Sequence, residues 1–202
     1  MKKLILALFI MASGSVANAQ GSGFCLGPKI GYNSNTLTTN LDSYQSELNN
    51  SFQIGAFLRI GSKIYFQPEI NYQLVSGTLN KSTASLVQSQ DLNIQSVKIP
   101  AIFGIKLINR NAVNLRVLAG PALTFMFDKQ LKPSEMDELW PIQSVDDIKN
   151  SIWSVQMGAG LDVLFMTLDV RYEFGVENMY NGSSDFQMKQ NTFNVSLGIK
   201  LL

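Results

Sequence analysis

The sequence predicts an all-β fold, an eight-stranded antiparallel up-and-down transmembrane β-barrel. Three observations predict it. Apolar and polar residues alternate with a strict period of two in eight separate stretches, which is the pattern of a strand with one apolar and one polar face. The connections between these stretches alternate long and short, as in barrels with short turns at one mouth and long loops at the other. The apolar face carries essentially no charge in any stretch, and one arginine at mid-bilayer would cost about 2–4 kcal/mol there.

The last stretch shows the pattern most plainly. Phe193, Val195, Leu197, Ile199 and Leu201 fall on one face, with Asn194, Ser196, Gly198 and Lys200 on the other. Reading from the start, the first strand covers about 24–33, with Leu26, Pro28, Ile30 and Tyr32 opposite Gly27, Lys29, Gly31 and Asn33. A polar segment follows over about 34–50, before a second strand at about 51–60 with Phe52, Ile54, Ala56, Leu58 and Ile60 on its apolar face. Gly61-Ser62 predicts a tight turn into the third strand, about 63–76, where Phe66, Pro68, Ile70, Tyr72 and Leu74 oppose Gln67, Glu69, Asn71 and Gln73. A second polar loop, about 77–91, leads to the fourth strand at about 92–107. Val97, Ile99, Ala101, Phe103, Ile105 and Leu107 there oppose Ser96, Lys98, Gly104 and Lys106.

Asn109-Arg110-Asn111 is a short turn into a fifth strand at about 113–127, with Arg116, Gly120 and Thr124 on its polar face. The longest loop, about 128–150, includes a candidate helical turn at Ser134–Leu139. The sixth strand, about 151–163, sets Trp153, Val155, Met157, Leu161 and Val163 against Ser154, Gln156, Gly158, Gly160 and Asp162. A minimal turn at Phe165-Met166 precedes the seventh strand, with Leu168, Val170, Tyr172, Phe174 and Val176 opposite Asp169, Arg171, Glu173 and Gly175. A last polar loop, about 178–190, leads to the closing strand.

Composition excludes several classes. The 202-residue chain has a formal charge of +1, which gives no footprint for nucleic acid. Charged residues are 15% of the chain, against roughly 25% for ordinary soluble proteins. The chain has no histidine, and so lacks the commonest general base and zinc ligand. Its one cysteine, Cys25, allows no intrachain disulfide and is read as a small residue at a strand start. Met1-Lys2-Lys3 and the apolar run Leu4–Ala12 predict a secretory leader over residues 1–19. Ala17-Asn18-Ala19 supplies the small residues for cleavage before Gln20, so residues 20–202 form one outer-membrane barrel domain.

Alternation alone does not say which face points outward, since a soluble lipocalin-like barrel turns the apolar face inward. The polar face is rich in glycine, which suits a crowded narrow lumen, and aromatics gather near strand ends as interfacial girdles do. Lipid around the barrel, as a monomer, is the expected surrounding.

Gln67-Pro68-Glu69-Ile70-Asn71-Tyr72, Val97-Lys98-Ile99-Pro100 with Lys106, Ala119-Gly120-Pro121, and the opening Gly27–Asn33 strand resemble the PorT-like outer-membrane β-barrel family typical of Bacteroidota. The resemblance implies an outer-membrane barrel, some of whose relatives serve type IX secretion.

The candidate site is the polar face, with Lys29, Arg59, Lys98, Lys106, Arg116 and Arg171 against Glu69, Asp162, Asp169 and Glu173. An interior filled by side chains suits so small a barrel, so these charges read as a paired plug, with a narrow cation-lined conduit as the alternative. As paired catalytic carboxylates the four acids would be held ionised by their cations and make poor general acids. No catalytic residue, cofactor or metal is therefore assigned. The acidic run Glu135, Asp137, Glu138, Asp146 and Asp147 lacks the spacing of a calcium loop. Trp140 and Ile142 in the same loop are candidate contacts for a protein partner, or for the barrel rim. The expected role is non-enzymatic binding, assembly or secretion support through loops; the alternatives are a narrow pore, a small-solute binder or a soluble lipocalin-like protein.

Overall fold

The computed structural model describes residues 23–39, 44–46, 49–83, 86–110, 112–132, 148–179 and 188–201. The strands among them are β1 (Phe24–Thr39), β2 (Tyr44–Ser46), β3 (Asn49–Gly61), β4 (Ile64–Thr83), β5 (Leu86–Asn109), β6 (Val113–Lys132), β7 (Ser151–Val163), β8 (Met166–Gly175) and β9 (Met188–Ile199). Neighbours pair antiparallel in the order β4-β3-β1-β9-β8-β7-β6-β5, and β4 pairs with β5, so eight long strands close on themselves. The three-residue β2 lies outside this ring, paired with Leu79–Lys81 of β4. The expected leader, its cleavage point, and Trp140 and Ile142 fall outside the described residues.

The period of two decides the inside. In β7 and β8 every second residue is buried, save the half-buried Gly158 and Gly175, and the intervening ones are exposed. The exposed set is apolar: Ile30, Ile54, Ile70, Phe103, Val117, Met157, Val170 and Leu197 come from eight different strands. In water such a surface would far exceed the few hundred Å² that soluble proteins leave exposed, whereas lipid welcomes it. Aromatics concentrate towards the long-loop end of this belt, among them Tyr32, Phe52, Tyr72, Phe125, Phe127, Trp153, Tyr172, Phe174 and Phe193. Tyr32 meets Phe52 edge-on at 5.6 Å and Tyr172 meets Phe174 at 4.7 Å, a packing that aromatic quadrupoles favour.

Three expectations are corrected. The polar stretches over 34–50 and 77–91 are not simply loops. β1 runs on to Thr39, and the β4–β5 ladder continues to Thr83↔Leu86. Above the belt a hairpin needs only paired backbone, and Ser, Thr and Asn supply that without an apolar face. The turn placed at Phe165-Met166 sits at Leu164-Phe165, where Leu164 takes a φ of 51°. At the β3–β4 connection Gly61 bends back at a φ of 121°, a region open to glycine without Cβ strain. The candidate helical turn at Ser134–Leu139 lies outside the described residues.

The prolines of three strands mark gaps in the ladder. Pairing skips Leu58 and Arg59 against Gln67 and Pro68, then Glu69 and Ile70 against Ile99 and Pro100, then Ala101 and Ile102 against Gly120 and Pro121. Proline has no N–H to donate, so each gap follows from its residue.

Candidate functional site: the ion-paired lumen

The inward faces build one continuous polar column. Near its centre Glu69 of β4, fully screened from solvent, accepts hydrogen bonds from four side chains. Lys29 Nζ donates at 2.8 Å, Arg171 Nη2 at 2.6 Å, Gln67 Nε2 at 2.6 Å and Asn71 Nδ2 at 3.2 Å. Arg171 Nη2 also donates to Asp169 Oδ2 at 2.7 Å. Strand register brings these groups together from β1, β4 and β8, across up to 102 residues of sequence.

Towards the short-turn end, Arg116 Nη2 bridges Asp169 Oδ1 at 2.8 Å and Asp162 Oδ1 at 2.9 Å. Arg59 Nη1 holds Asp162 Oδ2 at 2.9 Å, and Arg59 Nε donates to Gln67 at 2.6 Å. Tyr65 lies between the two guanidiniums, 5.1 Å from that of Arg59 and 5.7 Å from that of Arg116, and its hydroxyl accepts from Arg116 at 3.0 Å. Towards the long-loop end, Lys98 Nζ pairs with Glu173 Oε2 at 2.6 Å, and Ser154 and Gln156 also donate to that carboxylate. Above them Asn33, Gln53 and Gln73, then Asn35, Ser51 and Thr192, continue the hydrogen bonding.

Nine of the ten charged residues singled out in the sequence are therefore buried and joined through this column: Lys29, Arg59, Glu69, Lys98, Arg116, Asp162, Asp169, Arg171 and Glu173. Lys106 is the exception. It is half-buried at the short-turn mouth, opposite Arg116, with no carboxylate at ion-pair distance among the described residues. Sequence reading passed over Tyr65 and Thr167, although both share the phase of Gln67 and Asp169. It placed Lys200 on the polar face of the last strand but left it out of the charged set, although its Nζ lies 4.0 Å from Asp162. The phase alone was the signal that could have found them.

Little space is left in this column. Glycines pack where the charged side chains cross: a Cβ on Gly160 would lie 2.4 Å from Asp169 Oδ1 and 2.6 Å from Arg116 Nη2, and one on Gly104 would enter the Tyr65 ring. On the β5–β6 wall Ile102, Leu118 and Ala122 fill the lumen, and Ile94, Met126 and Ile152 do so nearer the long-loop end. A cavity of ≈ 20 Å³ remains beside Lys98, Thr124 and Glu173, room for about one water.

A small strap covers that end. Ile148 and Met179 are buried, joined by a hydrogen bond from Lys149 N to Met179 O at 2.9 Å. Lys149 Nζ pairs with Glu177 at 2.7 Å, Trp153 N donates to the same carboxylate at 3.2 Å, and Lys129 Nζ donates to the Ile148 carbonyl. The Lys149 and Trp153 donors hold the Glu177 carboxyl below its ordinary value.

A closed antiparallel barrel with an apolar outer belt and an ion-paired lumen defines an outer-membrane β-barrel protein. The profile described as "Outer membrane protein beta-barrel domain" matches residues 17–181, and the chain belongs to that family. The match ends before β9, the strand that the structure places between β8 and β1. Among solved structures the chain is similar to the outer membrane protein OprG from Pseudomonas aeruginosa, at 11% identity and a TM-score of 0.53, over 90% of this chain and 98% of that one. It is also similar to Ail, the attachment invasion locus protein of Yersinia pestis, at 15% identity and a TM-score of 0.43, over 89% of this chain and 99% of that one. The likeness to OprG concerns the fold. No curated protein matches the sequence.

Proposed function

We propose that this outer-membrane barrel is a monomeric, non-enzymatic scaffold that acts through its long-loop end, in binding, assembly or support of secretion. The observation that carries the reading is the filled lumen: cations and carboxylates from seven strands close it with paired charge, leaving the loops as the surface open to a partner. Each acid of the column is engaged by cations, which leaves no free carboxylate there to act as a general acid. A lipocalin-like soluble protein would need the apolar face inside, and here the polar face is inside. Trp140 and Ile142 are the proposed loop contacts for a protein partner. Gln67-Pro68-Glu69, Ile99-Pro100 and Gly120-Pro121 support a PorT-like place within the family, since these motifs coincide with the ladder gaps.

Planar-bilayer recording tests the reading. The folded protein is expected to give no discrete conductance steps, and reproducible steps would replace it with the narrow pore. Mass spectrometry of the mature chain is expected to show Gln20 as its first residue, in line with the small residues at Ala17 and Ala19.

A further inference from the structure

The charges of the lumen do not balance evenly along its length. Lys29 and Arg171 match Glu69 and Asp169 near the centre, and Lys98 matches Glu173 above them. Among the described residues the surplus sits at the short-turn mouth, where Arg59, Arg116, Lys106 and Lys200 surround one carboxylate, Asp162. Lys106 and Lys200 are half-buried there, each tied to a turn through its backbone: Lys106 N donates to Lys63 O at 2.8 Å and Lys200 N to Phe165 O at 2.7 Å. Lys63 and Arg110 add exposed cations on the rim. Beneath, Arg116 is fully buried and its Nε has no hydrogen-bond partner among the described residues.

Excess charge of one sign in a mouth with low-dielectric walls is costly unless a counter-ion occupies it, and it concentrates that ion. A single carboxylate would cancel about one charge, whereas a phosphate carries about −1.5 to −2 near pH 7 and offers several acceptor oxygens. Such oxygens can take donors from two ammonium groups and a guanidinium together.

We propose that the short-turn mouth is a binding site for an oxyanion of the phosphate class, held chiefly by Lys106 and Lys200 over the Arg59–Asp162–Arg116 cluster. The site lies at the opposite end from the loops and does not depend on their role. The phosphate comes either free or as a phosphomonoester lipid headgroup, which keeps the second ionisation, since exposed Ile64, Leu107, Leu164 and Phe165 bring the same rim against lipid.

Cys25 is a built-in reporter. It is the chain's one cysteine, faces the same mouth beside Arg59 on β3, and has Arg59, Lys200, Asp162 and Arg116 as charged neighbours. The full mature protein, folded in nonionic detergent, is treated with a sulfonate-bearing and a trimethylammonium-bearing methanethiosulfonate. The anionic reagent is expected to react about tenfold faster. Millimolar inorganic phosphate is expected to slow both reactions several-fold, and K106Q/K200Q to abolish the preference and the protection. Heat-modifiability on a gel verifies that the variant is folded, and the single variants K106Q and K200Q carry the test where the double one does not fold. Protection in detergent assigns free phosphate. Protection only in bilayers that contain phosphatidic acid, and not in phosphatidylcholine alone, assigns the headgroup. Equal rates for the two reagents, phosphate protection unchanged in the variants, or slowing matched by sodium chloride at equal ionic strength would each overturn the site.

Discussion

Glu69 shows how much one residue can hold together in a low-dielectric lumen. Five donor contacts from four side chains converge on its two oxygens, two of them from the Arg171 guanidinium. Glu69→Gln keeps the shape but leaves Lys29 short of a counter-charge and Arg171 with Asp169 alone. The expected loss is about 3–5 kcal/mol of stability, seen as a lower urea midpoint for the detergent-folded barrel. Gly160 fails for a different reason. Gly160→Ala places a methyl against Arg116 and Asp169, and displacing that pair should cost about 1–3 kcal/mol. Salt should leave both effects largely intact, because buried pairs are poorly screened. Glu177 behaves oppositely, being a loop residue in contact with water. Its folded value lies below the unfolded one, so its contribution is present above the ordinary carboxylate value of 4.5 and is lost as pH falls through the lowered folded value. Trp153 fluorescence should report a loosening of the strap in that acidic window, and Glu177→Gln should remove the transition.

At the scale of the strand, face matters more than identity. Ile54 on β3 points into the belt between Ile30 and Tyr72 and is 61% exposed. One step inside the aromatic band of Phe52 and Tyr72, Ile54→Arg should cost about 1–2 kcal/mol and reduce assembly, while Ile54→Leu should assemble normally, both read by the gel shift of unboiled against boiled samples. The eight strands and their faces were legible because alternation is a local signal that needs no partner. Strand ends were less so. The polar residues over 77–91 read as loop, yet those described pair across the hairpin, because a ladder outside lipid is held by backbone contacts that composition does not report. Removing residues 78–91 and rejoining the chain at the Gly77↔Leu92 pair should leave barrel formation unchanged on the same gel. The charged site was legible as a set of residues, since Lys29, Glu69 and Arg171 all break into polar faces. Its connectivity was not, because who meets whom depends on the stagger of strands far apart in sequence. Tyr65 was missed for the complementary reason: an aromatic ring suggests belt, although its phase is that of Gln67 and the register places it beside Gly104.

For the whole molecule, the ring order makes the first and last long strands neighbours, with Lys29↔Gly198 through Thr39↔Met188 joining β1 to β9. A chain that lacks β9 therefore has two raw sheet edges, one on β1 and one on β8, each with unpaired backbone groups that lipid cannot solvate. Such an intermediate cannot be a smaller barrel; it can only be an open sheet in need of protection. Growth from one end never yields a finished piece, so the ring is expected to close last, when β9 meets β1. Whatever machinery receives this protein has to recognise an incomplete object and keep its two borders apart from other chains until they find each other.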